Sequence, residues 1–211
     1  MEILSLTYLG NIQWFSKLCF SECVIDIHEH YHKQSYRNRC DILTANGPAS
    51  LTVNTVKSSN WNKASVKNTR IDYSKKWQHL HWQSLVSSYR SSPYFDHYAS
   101  EFEPFYNSQF EFLLDFNIGL LETVMRLLGS PAKITLSEEY IEPTETTDAT
   151  DWRDAISPKP RLARPDTTFS PEPYWQVFSD RMAFAPNLSV IDLLFCEGPQ
   201  ALGIIMDSIA K

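Results

Sequence analysis

The chain has 211 residues, 43% hydrophobic, 21% charged and 13% aromatic, a globular composition heavy on rings and long enough for one sizeable core. Its formal charge of −6 lacks the basic excess that phosphate neutralisation needs, which argues against a general nucleic-acid binder. There is no run of about 18 apolar residues and no charged-then-apolar leader pattern, so neither a membrane span nor export is indicated and the cytoplasm is the expected compartment.

Cys19, Cys23, Cys40 and Cys196 are too few and too irregularly spaced for a secreted disulfide framework and read as reduced, buried thiols. In chain order, Ile3 to Tyr8 reads as a strand. Asn11, after Gly10, is placed to cap a helix carrying Ile12, Trp14, Phe15 and Leu18. Cys23 to Ile27 reads as a second strand, completing a βαβ opening that favours a parallel pair. Arg39 to Thr44 and Ser50 to Val56, joined through Ala45-Asn46-Gly47-Pro48, read as a hairpin, because Asn-Gly takes the positive φ angles of a tight turn. Lys57 to Arg70 is polar and unpatterned, a loop, ahead of the short segment Ile71-Asp72-Tyr73.

Trp77, Leu80, His81, Ser84, Leu85, Ser88 and Tyr89 recur at helical spacing until Pro93 stops the pattern. After an aromatic segment from Tyr94 to Tyr106, a stronger helix spans Gln109 to Leu128 and ends at Gly129-Ser130-Pro131. Ala132 to Leu136 returns as a strand. Residues 142–173 hold Pro143, Pro158, Pro160, Pro165, Pro171 and Pro173, half of the chain's 12 prolines, and predict a long loop or lid rather than a second core. Tyr174 to Arg181 reads as a short helix or strand. Asn187-Leu188-Ser189 caps Val190 to Phe195, and a closing helix ends near Ile209. The expectation is a single α/β domain over residues 1–211, with a mixed, mostly parallel sheet, one hairpin and flanking helices in a Rossmann-like arrangement.

The polar stretch His28 to Cys40 interrupts this apolar rhythm. As one extended strand, Val24 to Leu43 would span about 66 Å, so a turn is expected between Tyr31 and Tyr36. His28, His30 and His32 share a face at a spacing that lets imidazoles share a metal ion, but only Glu29 and Cys40 lie near as further ligands. Exposed imidazoles are the plainer reading, and no metal is favoured. Lys33, Arg37 and Arg39 share the other face. The guanidinium fork matches phosphate, sulfate or carboxylate oxygens two at a time, with ion pairing inside an acidic chain as an equal alternative. His81, on the inward face of a helix beside small serines, is the acid/base candidate; a hydrogen-bonded core histidine is the commoner fate of such a residue. Asn117 lies in an apolar stripe and must find hydrogen bonds there. No P-loop or complete GxGxxG occurs.

Several separated motifs are shared with a known family. Tyr31-His32-Lys33-Gln34-Ser35-Tyr36-Arg37-Asn38-Arg39-Cys40, then His81-Trp82-Gln83-Ser84-Leu85 leading to Tyr89 and Ser92-Pro93-Tyr94-Phe95, then Pro158-Lys159, and Pro186 to Phe195 with Gly198-Pro199, together resemble the WbqC-like family of bacterial proteins. The resemblance covers nearly the whole chain. It implies a link to O-antigen and other surface-polysaccharide gene clusters, and by association acyl or aminoacyl transfer to a nucleotide-linked amino sugar. It also implies substrate-binding roles for Lys33, Gln34, Tyr36, Arg37, Asn38, Arg39, Trp82, Tyr89, Lys159, Asn187 and Asp192, beside His81 as catalytic base. The three histidines stand outside the shared pattern, and Thr7-Tyr8-Leu9-Gly10 departs from the proline-flanked turn of relatives. The opening βαβ unit is loosely similar to Rossmann-like nucleotidyltransferases, without their histidine pair. The expected ligand is a small anionic or nucleotide-linked sugar, with no cofactor identified. A non-catalytic glycan-pathway binding protein and a nucleotidyltransferase-like enzyme are the alternatives.

Overall fold

A computed structural model of the chain describes residues 1–56, 65–142 and 149–210. Glu2–Ser5 forms β1, Ile12–Phe20 α1 and Cys23–Asp26 β2. The Asn11 side chain accepts from the Trp14 N–H and starts α1 where the sequence places the cap. β1 pairs in parallel with β2, Ser5 opposite Asp26, and on its other edge with β5, Thr150–Asp151. A parallel bridge from Ile25 to Leu136 extends the sheet beyond β2. In space the order is therefore the segment at Leu136, then β2, β1 and β5. That is the third, second, first and fourth in sequence, with the switch in direction between β1 and β5. Open sheets of this kind place ligands outside the carboxyl ends of their strands near such a switch.

Arg39–Thr44 (β3) and Gly47–Thr52 (β4) form the hairpin, with Thr44 opposite Gly47. Only Gly47 in its turn has a positive φ, +103°, so the glycine alone supplies the expected conformation. The helices are α2 (Trp77–Tyr89), α3 (Phe95–Asn107), α4 (Leu113–Leu128), α5 (Val190–Glu197) and α6 (Ala201–Asp207). α3 forms over what the sequence reading gives only as an aromatic segment, with Phe95, Phe102 and Tyr106 on its buried side. α4 ends where Gly129 adopts a left-handed φ of +65°. Its buried Asn117 donates to the Arg37 carbonyl at 2.7 Å, tying the helix to the polar stretch.

Further expectations change: α4 begins at Leu113 rather than Gln109, and β4 covers Gly47–Thr52 rather than Ser50 to Val56. Tyr174 to Arg181 forms turns rather than a helix or strand, and the segment Ala132 to Leu136 makes one bridge instead of a full strand. The proline-rich region is built into the fold: it supplies β5, and its Asp166 meets Lys17 at 2.7 Å and Gln13 at 3.0 Å on α1. Residues 143–148 of that region, and 57–64 of the earlier predicted loop, lie outside the described residues.

His81 is part of the core. It is 4% exposed, its Nδ1 lies 3.0 Å from the Tyr8 hydroxyl, and that hydroxyl lies 2.8 Å from the Tyr106 hydroxyl. The ring stacks with Tyr8 and stands edge-on to Trp77. Burial pushes the imidazole down to about 4, opposed by a hydrogen bond to the Thr52 backbone. His81 is thus neutral at pH 7 and joins the turn after β1 to α2, α3 and β4. The unfolded chain alone binds this proton between about pH 4 and 6.5, so the residue makes stability fall as pH drops through that window, by roughly 3 kcal/mol in full. His81→Gln should flatten the stability curve over that range in urea denaturation; the same slope as wild type would contradict a buried neutral ring.

Candidate functional site

The carboxyl ends of the parallel strands carry a dense set of charges. Asp26, the last residue of β2, is fully buried and accepts the N–H groups of His28 at 2.9 Å and Glu29 at 3.1 Å, turning the chain out of the sheet. Arg153, two residues beyond β5, donates to Asp26 at 2.6 Å and to both oxygens of Asp151. Arg37 makes a second cluster. Its Nε and Nη2 meet the two oxygens of Glu29 at 2.8 and 2.5 Å, and Nη2 approaches Asp154 at 3.4 Å. Ser5, at the end of β1, donates to the Arg153 carbonyl at 2.9 Å and contacts Glu29 at 3.2 Å. Burial pushes the Glu29 carboxyl up, opposed by the charge and hydrogen bonds of Arg37 and by Ser5.

Glu29, Asp151, Arg153 and Asp154 of this set line a cleft of about 200 Å³, with His30, His32, Tyr140 and Arg164 around it. The Arg153 guanidinium lies 5.4 Å from the centre of the Tyr140 ring, within cation–π range. At the mouth, His32 Nδ1 is 3.0 Å from Asp154 Oδ1, with both side chains about half exposed. The hydrogen bond from His32 holds the Asp154 carboxyl down to about 2, with Arg37 adding to the effect and burial opposing it. A carboxylate at Nδ1 favours the tautomer with the imidazole proton there, which leaves Nε2 as the acceptor, the arrangement of an oriented general base.

The sequence-predicted residues separate into groups. Tyr36, Arg39 and Asn187 converge on a second cleft between the hairpin and the chain entering α5. Arg37, expected to grip an anion, is 2% exposed and already engaged by Glu29 and Asp154. Lys159 donates to the Lys33 carbonyl at 2.6 Å, and Gln34 occupies the same turn with φ +54°. Asn38 donates to the Val53 carbonyl at 2.9 Å, and Trp82 stacks on Phe95 and Tyr106. Tyr89 donates to Asp192 at 2.6 Å in a buried knot with Tyr174 and Gln176. His81 lines neither cleft. His28, His30 and His32 do not gather: among the described residues, no group of three or more His, Cys, Asp or Glu side chains is placed to hold a metal.

Asp154, Arg153, Tyr140 and Arg164 escape the sequence reading because they lie in or beside a stretch with no apolar period. The signal available was the run Asp151-Trp152-Arg153-Asp154 against the apolar pair Ala155-Ile156. Replacing Arg37 by Met leaves the Glu29 carboxylate buried without its partner and should cost about 3–5 kcal/mol. Arg37→Met/Glu29→Met should recover much of that loss in chemical denaturation. Equal losses for the single and double variants would contradict a buried coupled pair.

At its amino end α1 offers no open anion site. The Ile12 N–H goes to the Leu188 carbonyl at 3.1 Å, that of Gln13 to Asn187 Oδ1 at 2.9 Å, and that of Trp14 to Asn11 Oδ1 at 3.0 Å. No curated protein and no solved structure matches the chain. A family model described as the WbqC-like protein family matches residues 7–157. That span includes Glu29, His32, Arg37, Arg153 and Asp154 and stops short of Lys159, Asn187 and Asp192. With well over half of its length matched, this chain belongs to the WbqC-like protein family.

Proposed function

We propose that this chain is a transferase of bacterial surface-polysaccharide biosynthesis, O-antigen included, that moves an acyl or aminoacyl group onto the amine of a nucleotide-linked amino sugar. His32 is its general base. The observation that supports this most is the 3.0 Å contact between His32 Nδ1 and Asp154 at the mouth of the cleft. The glycan setting comes from the family resemblance.

The chemistry follows from an Nε2 left as acceptor. As the sugar amine attacks the acyl carbonyl, a C–N bond forms and the bond from carbonyl carbon to leaving group breaks. The amine proton passes to Nε2 and from there to the leaving group. Asp154 offsets the imidazolium charge in the interval, and Arg37 fixes Asp154 from behind. Such acid–base assistance contributes roughly 10²–10⁴-fold in rate. Tyr140 and Arg164, on the cleft wall, supply a ring face and a cation for the donor or the nucleotide.

Incubation of the protein with acyl donors and nucleotide-linked amino sugars, followed by mass spectrometry, tests the reading. Acyl gain on the sugar supports it; nucleotide gain favours a nucleotidyltransferase-like enzyme, and binding without product a non-catalytic glycan-pathway protein. His32→Gln should lower kcat about 10²–10⁴-fold with a small effect on KM. Full turnover by that variant removes His32 from the mechanism.

A further inference from the structure

The second cleft holds about 410 Å³ between the hairpin and residues 185–188, within the roughly 300–1,000 Å³ of small-molecule sites. Its polar groups converge on Asp41. One oxygen, Oδ1, accepts from Arg39 Nε at 3.3 Å, Arg39 Nη2 at 3.2 Å and Ser50 Oγ at 2.5 Å. The other, Oδ2, is met by the Tyr36 hydroxyl at the long distance of 3.5 Å. Arg39 and Asp41 are 31% and 21% exposed, so their opposite charges face the same opening and cancel there. An anion would have to compete with Asp41 for the guanidinium.

What remains open is a set of neutral-ligand contacts. Asp41 Oδ2 has acceptor capacity left, and Arg39 Nη1 has no partner among the described residues. Burial, with Asp41 second, pushes the Tyr36 hydroxyl up to about 12 against a hydrogen bond with the Asn11 side chain, so it stays protonated and can donate. Pro48, Ala185, Pro186 and Leu188 give apolar surface on the walls. The far wall is fixed, because Asn187 Oδ1 accepts the Gln13 N–H at 2.9 Å and Leu188 accepts that of Ile12. Alternating donors and acceptors beside flat apolar surface suit a ring that carries hydroxyls on its edge and C–H groups on its faces.

We propose that this cleft binds a neutral polyhydroxylated ring, a pyranose, through Asp41, Arg39 and Tyr36, with Pro48 and Pro186 against its C–H faces. The cleft's own groups carry this, whether or not His32 transfers a proton.

The test is an NMR titration of the full chain, following the backbone amides of Ser50 and Asn187. The probes are methyl pyranosides of gluco, galacto, manno and N-acetylglucosamine configuration, and inorganic pyrophosphate. At least one pyranoside should shift these amides saturably in wild type, and pyrophosphate should not. Asp41→Asn removes the countercharge at similar shape, so it should weaken the pyranoside at least tenfold and make the same amides respond to pyrophosphate. No response to any pyranoside, or a wild-type response to pyrophosphate at these amides, overturns the proposal. Wild type alone decides the matter if the variant does not fold. His32→Gln should leave the titration unchanged, so failure here and failure of the transfer chemistry are separable.

Discussion

The arrangement at the carboxyl ends of the sheet depends on Arg37. Its guanidinium holds both oxygens of the buried Glu29 and reaches Asp154 and the Arg153 carbonyl, while its own carbonyl accepts the side-chain N–H of Asn117 from α4. One residue thus links the turn after β2, the chain after β5 and the longest helix. Removing two charges from water carries a penalty of several kcal/mol per ion, recovered only when the geometry is close and the remaining lone pairs are satisfied. Ser5, which contacts Glu29, and the Arg153 carbonyl, which accepts from Arg37, add to that satisfaction. Asp154 is held in place because Arg37 is, and His32 is oriented because Asp154 is.

The same economy of charge limits which ligands the chain can take. The parallel order, with its switch between β1 and β5, would make the amino end of α1 a natural phosphate position, yet Asn187, Leu188 and Asn11 occupy its N–H groups. Arg37 and Arg153 are matched by carboxylates, and Arg39 by Asp41. Of the cations on the two clefts, Arg164 alone carries no ion pair among the described residues. Anion recognition therefore has one evident anchor, beside the proposed base, and the rest of the polar lining suits neutral groups.

Local patterns were legible where one period dominated. The Asn11 cap, the α4 stripe and its Gly129 stop, and the hairpin at Gly47 all follow from side-chain spacing and backbone freedom. α3 was missed although its rings at 95, 98, 102, 105 and 106 fall on one face at helical spacing, because Pro104 adds a misleading stop signal inside it. β5 is two residues long and owes its place to pairing with β1, a long-range contact with no local signature. The candidate site is split for the same reason. The stretch from His28 to Arg39 draws attention by composition, but its partners come from residues 140–164, over 100 positions away. Without Asp154 beside it, His32 is another exposed imidazole, and without Glu29 against it Arg37 looks like an anion ligand.

Histidine ¹⁵N NMR of the wild-type chain and of Asp154→Asn tests the central claim most directly, since orientation of His32 by Asp154 underlies the assignment of the site. A carboxylate at Nδ1 should hold the proton there, giving neutral His32 a dominant Nδ1–H tautomer, and Asp154→Asn should release it to the Nε2–H-rich mixture of a free imidazole. A wild-type His32 that already shows the free mixture, unchanged in Asp154→Asn, would contradict the account.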